Sequence, residues 1–259
     1  MRWWMALLLR FGYGGERMKS ETVRTVGNIY YSSNLKDGQG QRVANDFLTR
    51  LTNGFARRTA KYMRVTREVP FVFRERQLHS IIAPTLDDFT DAFLMELPTQ
   101  RSWSVTADER TSDSHGWIDY WCSYRNISFL VELKHGFISG KSGQIRKDVK
   151  AEWETAILQL DAIEEEAKFQ GQWSNGTLRV ALHVLPLFER HAQADGKPVN
   201  DLEKLLEIQK RAMEELERRP NWSAMWKIHE GIAGPYEYSN AIEFYPGVLI
   251  VANVSEITS

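Results

Sequence analysis

The sequence predicts an α/β fold in which helices are layered on both sides of one mixed central sheet, and three observations predict it. Residues 116–121 and 127–134 are strand-like runs separated by the polar break Ser123-Tyr124-Arg125-Asn126, so they read as a hairpin. The second run is almost continuously apolar, which suits a strand buried on both faces. Residues 145–169 place Val149, Trp153, Ala156, Leu160, Ile163 and Ala167 at intervals of three and four, the stripe of a core-facing helix. Residues 178–187 then alternate Val180, Leu182 and Val184 with Arg179, Ala181 and His183, which is the period of a strand. An antiparallel pair followed by helix and strand requires a mixed sheet with helices packed on it.

Composition bounds the function classes. A chain of 259 residues suffices for one large domain or a domain with an appended arm. Hydrophobic residues make up 42% and aromatics 12%, enough for a substantial core. No apolar run approaches the eighteen or so residues of a membrane span, so no membrane partner is expected. The single Cys122 excludes an internal disulfide and a cysteine-based zinc site, and is expected as a small buried strand residue. A reducing, cytoplasmic location is compatible with it. The net charge of -1 conceals an asymmetry: residues 1–80 hold 15 Lys and Arg against 6 Asp and Glu, and the remaining 179 hold 18 against 28. The front third is where contacts to a polyanion are expected.

The elements follow in order. Trp3-Trp4-Met5-Ala6-Leu7-Leu8-Leu9 is apolar, but it is short for a secretory core and no clean cleavage site follows. Residues 1–17 are therefore expected outside the folded domain. Gly14-Gly15-Glu16-Arg17 before Met18 is what a purine-rich ribosome-binding sequence gives when translated in frame; a membrane-surface anchor is the alternative. An intact mass beginning at Met1 would sink the first reading. Residues 1–70 read as a basic N-terminal arm and 71–259 as the α/β domain. Within the arm, residues 22–37 are polar and turn-rich and run into the loop Asp37-Gly38-Gln39-Gly40. Val43, Phe47, Leu51 and Phe55, four apart, predict an amphipathic helix over 42–55. Arg42 and Arg50 lie on its exposed face and Arg57, Arg58 and Lys61 just beyond, with Arg57 and Arg58 as candidate phosphate contacts.

Phe71-Val72-Phe73 reads as extended. Residues 74–89 read as a helix that continues past Pro84, with Leu78, Ile81 and Ile82 as its apolar stripe, Glu75 near its start and His79 one turn on. Residues 91–99 read as a strand stopped by Pro98, with Phe93, Met95 and Leu97 on one face and Leu94 and Glu96 on the other; 106–115 read as a polar loop. Gly136 and Ser139-Gly140-Lys141-Ser142-Gly143 form a flexible loop that departs from P-loop spacing, with three residues between Gly136 and Gly140. A nucleotide-binding role is rejected there, and Lys141 is expected near substrate phosphate. Arg146, Lys147 and Lys150 begin the helix over 145–169 and Glu164-Glu165-Glu166 lies near its end, an arrangement that opposes the helix dipole. Phosphate contact supplies a reason for the basic start. Asp195-Gly196-Lys197-Pro198 is a turn, residues 201–219 a second amphipathic helix, and 247–252 a last strand.

Two charges interrupt the apolar run of residues 127–134. Side chains alternate along a strand, so Glu132 and Lys134 share one face while Val131 and Leu133 share the other. Burying such charges is costly unless they pair with each other or with a metal. Asp119 on the preceding strand adds a second carboxylate, and one or two hard oxygen ligands are what magnesium takes beside water and phosphate oxygens. A carboxylate, twelve intervening residues and Glu-x-Lys on a strand resembles the PD-(D/E)XK, or restriction-endonuclease-like, nuclease superfamily. The matching pieces are Gly116-x-x-Asp119 and Glu132-x-Lys134, with Ile118 where the family name has Pro; Gly-x-x-Asp is frequent in that family.

The resemblance implies a three-layer restriction-endonuclease-like core over roughly residues 74–187. It also implies a Mg2+-dependent phosphodiesterase, with Mn2+ able to substitute and DNA as the expected substrate. Asp119 and Glu132 would ligate the metal and Lys134 would stand at the attacking water. Glu75 would be a third carboxylate, with Glu96 as its alternative. Gln159-Leu160 resembles the Gln-containing helix motif of RecB-type members, which makes Gln159 a supporting residue. A homodimer is compatible with this reading. Three alternatives stay open: a non-catalytic nucleic-acid-binding module that keeps the fold, a glycosidase using Glu96 and Glu132, and a structural protein in which Glu132 and Lys134 pair internally. With no zinc finger or helix-turn-helix in the chain, DNA versus RNA and end versus interior cleavage stay open too.

Overall fold

The computed structural model describes residues 19–23, 25–35, 40–72, 74–103, 112–163, 175–191, 201–238 and 241–256. Expectations for the apolar stretch at residues 3–9, for Glu164-Glu165-Glu166 and Ala167, and for the turn at residues 195–198 fall outside these. Along the chain run β1 (Lys19–Val23), β2 (Gly27–Ser33), α1 (Gln41–Thr66), α2 (Glu75–Asp87), β3 (Ala92–Trp103), β4 (Ser112–Tyr124), β5 (Ile127–His135) and β6 (Ile138–Ser139). They are followed by α3 (Lys147–Asp161), β7 (Thr177–His191), α4 (Leu202–Glu215), β8 (Trp222–Ile228), β9 (Tyr236–Tyr238) and β10 (Ala241–Glu256). The strands join in one mixed sheet in the order β1-β2-β8-β10-β7-β5-β4-β3, with β6 on β7 and β9 on β10. β5 and β6 run parallel to β7, and the other pairs are antiparallel.

The β4–β5 hairpin forms where its alternation predicts, but its turn is tighter than the four-residue break. Only Arg125 and Asn126 lie between the strands, with φ of 49° and 60°. Two consecutive left-handed residues match the twist of a two-residue hairpin, and Asn tolerates that region well. Asp91 Oδ2 accepts the Arg125 N–H at 2.9 Å and secures the corner. The parallel return from β5 through α3 to β7 is the strand-helix-strand unit that the periodicity predicts. Hydrophobic side chains cover both sheet faces. Phe47, Leu48, Leu51 and Phe55 of α1 and Leu78, Ile81 and Ile82 of α2 pack with Phe129, Val131 and Leu133. Val149, Trp153, Ala156 and Leu160 of α3 and Leu205 and Ile208 of α4 pack with Leu130 on the other side. The α1–α2 crossing is close because Gly54 has no Cβ; one built there would stand 2.3 Å from Thr85 Cγ2.

The structure corrects several expectations. The basic arm is not separate: β2 pairs with β8 inside the sheet, and α1 runs to Thr66 with its apolar face in the core. Arg42, Arg50, Arg57, Lys61 and Arg64 of that stretch are exposed on the solvent side of α1. Residues 22–37, read as turn-rich chain, include most of a β1–β2 hairpin. Phe71 and Val72 lie in a turn. β3 continues through Pro98 to Trp103, which an edge strand tolerates because one of its sides needs no donor. Residues 112–115, read as loop, belong to β4. β8 and β9 have no counterpart in the sequence reading. Among the described residues, no helix is long and apolar enough to cross a membrane.

Candidate active site

Two strand ladders open at one row of the sheet. β4 and β5 pair from Tyr124↔Ile127 to Tyr120↔Val131, and the next row, Asp119 and Glu132, is not paired. Instead the Leu133 N–H donates to Asp119 Oδ2 at 2.7 Å, so a carboxylate takes the place of a backbone carbonyl. The β3–β4 ladder skips the same row: Met95 pairs with Tyr120 and Leu97 with Ile118, while Glu96 between them has φ 52°. Side chains two apart should share a face. Here they do not: Met95 packs with the α1/α2 cluster and Leu97 with the α3/α4 cluster, and Tyr120 and Ile118 divide in the same way. The ribbon therefore turns over at the row of Glu96 and Asp119. That turn leaves Glu96 exposed on the edge strand rather than gathered with the buried charges.

Glu132 is 3% exposed and accepts a hydrogen bond from Lys134 Nζ at 3.0 Å, so the two share a face as predicted. Burial by itself pushes the Lys134 ammonium down. The Glu132 carboxylate beside it, reinforced by Glu75 and Asp119, outweighs that penalty and holds the pKa above the ordinary lysine value. Glu75 opens α2 within electrostatic range of this group. Burial raises its carboxyl above the ordinary range; Lys134 draws it down, Asp119 and Glu152 push it up, and a hydrogen bond with the His135 backbone lowers it again. The fold thus brings Glu75, from a helix distant in sequence, within electrostatic range of Asp119 and Lys134, while Glu96 stays exposed on the edge strand. Glu152 on α3 is an acidic neighbour that the sequence reading missed. Its signal is modest: it is an acid in the second turn of the helix that follows β5.

Behind the charges lies a buried, neutral layer. His183 faces Lys134 across the β5–β7 register and stacks on Trp153 with ring centroids 6.5 Å apart. Burial pulls its pKa to about 3 and that of His135 to about 4, so both imidazoles are uncharged at neutral pH. Gly136 keeps α3 close, since a Cβ there would meet Val149 Cγ2 at 2.9 Å and His183 Nε2 at 3.2 Å. His79 shares a hydrogen bond with the buried Tyr120 hydroxyl, whose pKa burial raises far above the ordinary tyrosine value.

The expected phosphate contacts are distributed unevenly. Lys150 stands on α3 two residues before Glu152 and pairs with Glu215 at 3.2 Å. Arg146 pairs with Asp148 and Lys147 is exposed beside them. Lys141 Nζ donates to the Arg190 carbonyl at 2.8 Å. Arg58 is held at the α1–α2 crossing by Asp88 and the Pro84 carbonyl, and Arg57 is exposed on α1. Gln159 lies seven residues beyond Glu152, about 10 Å further along the helix at 1.5 Å per residue, and is not brought into the charged group.

Among the described residues, no three His, Cys, Asp or Glu side chains are gathered closely enough to cage a metal ion. Magnesium needs less, because water and substrate oxygens complete its shell around one or two carboxylates. Asp119 and Glu132, side by side where the ladder opens, are a donor set of that number and chemistry. Comparison with protein-family models, curated proteins and solved structures finds no match for this chain.

Proposed function

We propose that the chain is a metal-dependent phosphodiesterase of the PD-(D/E)XK type that cleaves DNA, built on a three-layer restriction-endonuclease-like core. The observation that carries this reading is the opening of the β4–β5 ladder at Asp119 and Glu132 with the buried Lys134 beside them. A purely structural ion pair has no use for a second carboxylate on the neighbouring strand and a third from α2.

Asp119 and Glu132 would hold Mg2+, which when bound polarises a phosphoryl oxygen and lowers the pKa of its water. The elevated pKa of Lys134 keeps it an ammonium at neutral pH, so its role is to orient the attacking water and offset the charge growing on the phosphorane, not to accept a proton. Glu75, with its raised pKa, suits the proton-accepting role. The Leu133 N–H fixes the Asp119 carboxylate and so orients it without a further side chain.

The test is cleavage of supercoiled and linear plasmid with Mg2+, Mn2+ or chelator, comparing wild type with Asp119→Ala and Lys134→Ala in folded preparations. Metal-dependent cutting that both substitutions abolish is the expected result; nicked versus shortened products separate endonuclease from exonuclease. A second reading, a binding module without catalysis, draws on the direct Lys134–Glu132 pair, which satisfies both charges without a metal. It predicts DNA binding with no cutting by any form.

A further inference from the structure

α1 differs from α3 and α4 in the sign of its charge. It holds six Lys and Arg against one acid, whereas α3 holds two against four and α4 three against four. α1 packs on one face of the sheet and α3 and α4 on the other, so the imbalance belongs to one side of the molecule. Apart from Val65 and Thr66 at its end, every exposed residue of α1 is a cation: Arg42, Arg50, Arg57, Lys61 and Arg64. At 3.6 residues per turn these positions fall within a sector about 100° wide, and from Arg42 to Arg64 the stripe is about 33 Å long at 1.5 Å per residue. The sixth cation, Arg58, is held at the α1–α2 crossing by Asp88.

The one acid of α1 does not cancel the stripe. Asp46 Oδ2 stands 3.2 Å from both Arg50 Nε and Arg125 Nη1, so a single carboxylate fixes two guanidiniums at the surface. α4 shows the contrasting pattern of a solvated face, with Arg211 paired to Glu207 and Glu215 one turn away on either side. α1 instead sets Lys61 four residues after Arg57 and three before Arg64, spacings at which like charges destabilise a helix. A polyanion lying along the stripe relieves that repulsion. One turn of duplex DNA spans about 34 Å, the length of the stripe, and the exposed residues of α1 include no aromatic ring on which a base of a single strand could stack. We infer that the outer face of α1 is a docking surface for the phosphate backbone of duplex DNA, separate from the residues that would carry out cleavage. DNA as the partner rests on the proposed nuclease reading, whereas the surface itself makes no use of the metal site.

The test measures binding of a labelled blunt duplex to the full chain in chelator, where no cutting occurs, over a range of salt concentrations. Wild type is compared with Arg57→Gln/Lys61→Gln and with Lys204→Gln/Lys210→Gln, which removes the same charge from α4 on the other side of the sheet; thermal melts check folding. Each lost phosphate contact lowers the slope of log K against log salt by about 0.9, so the α1 pair should reduce the slope by about 1.8 and weaken binding roughly 60-fold at about 0.1 M salt. The α4 pair should stay within a factor of about two of wild type. Equal losses in the two pairs, a slope change below about 0.5 in the α1 pair, or no duplex binding by wild type would each overturn the inference. The two readings fail separately. Plasmid cutting lost in Asp119→Ala, with the α1 pair binding as wild type does, sinks the docking surface and keeps the nuclease. Duplex binding that depends on the α1 pair, without metal-dependent cutting, does the reverse.

Discussion

Replacing Lys134 by Met tests the buried charge pair directly. Lys134 Nζ stands 3.0 Å from Glu132 Oε1, with the two side chains 12% and 4% exposed. At an effective dielectric constant of about 20, that separation corresponds to a gross attraction of about 5.5 kcal/mol, most of which offsets the cost of desolvating both ions. The pair is therefore close to neutral in net stability while it is intact. Lys134→Met keeps the aliphatic stem and removes the charge, which deprives the buried Glu132 carboxylate of its Lys134 partner next to Asp119 and Glu75. Breaking a buried pair in this way is expected to cost about 3–5 kcal/mol. The double variant Lys134→Met/Glu132→Gln removes the stranded charge and should recover at least half of that loss. Urea denaturation at pH 7.5 of wild type, both singles and the double closes the cycle, and cleavage assays run alongside it. A loss below about 1 kcal/mol for Lys134→Met, or a double variant no more stable than the single, would refute the burial argument. Recovery of at least half of the lost stability by the double, with no activity, is the result expected of a site retained for chemistry.

Four further outcomes follow from the same geometry. Asp119→Asn keeps an acceptor for the Leu133 N–H and should lose cutting with little change in stability, whereas Asp119→Ala leaves that buried donor unpaired and should cost a further 1–3 kcal/mol or so in urea unfolding. The folded-state pKa of Glu75 lies above its ordinary 4.5, so the native state holds the extra proton and ionised Glu75 destabilises the fold above that range. Glu75→Gln should then be more stable than wild type at pH 7.5, with the advantage vanishing as pH falls towards 4.5 and below; a constant difference across that window would rule this out. His183 and His135 have depressed pKa values, so unfolding takes up protons below pH 6.5 and stability falls by roughly 1.4 kcal/mol per pH unit for each histidine, until about pH 4 for His135 and about pH 3 for His183. His183→Leu should flatten that acid limb, as read by denaturation from pH 7 to pH 4. Asn126→Ala, forced to φ near 60°, should cost about 1 kcal/mol while Asn126→Gly does not, as thermal melts would show.

What the sequence makes legible is what local periodicity controls. The apolar run of β5 with Glu132 and Lys134 on one face, the α3 stripe from Val149 to Leu160, and the alternation of β7 are each set by residues within a few positions of one another. The folded chain places them as those patterns require. β8 shows why the remainder was hidden. In Trp222-Ser223-Ala224-Met225-Trp226-Lys227-Ile228 both faces are covered, so no alternation marks it, and it is a strand because β2 and β10 flank it from far along the chain. Charge misled for a related reason. The arginines of residues 42–64 are the solvent side of a helix whose Phe47, Leu51 and Phe55 belong to the core, so a count of charge over that stretch could not reveal a packed element.

The candidate site divides along the same line. Glu132-x-Lys134 is a local feature and was readable. The position of Asp119 on the adjacent strand was readable from the hairpin. Its orientation was not, because it depends on a left-handed Glu96, a residue type that gives no warning of positive φ. Glu75 and Glu152 reach the group from opposite sides of the sheet through α2 and α3, and only the packing of both helices against the end of β5 sets their influence. The readable part names a chemistry that many chains could share by chance. The part that required the fold, a ladder opened on both sides of Asp119 with a second helix delivering Glu75, is harder to explain without a ligand to bind. For that reason the substitutions at Asp119 and Glu75 discriminate between a nuclease and a buried ion pair more sharply than any change at Lys134 alone.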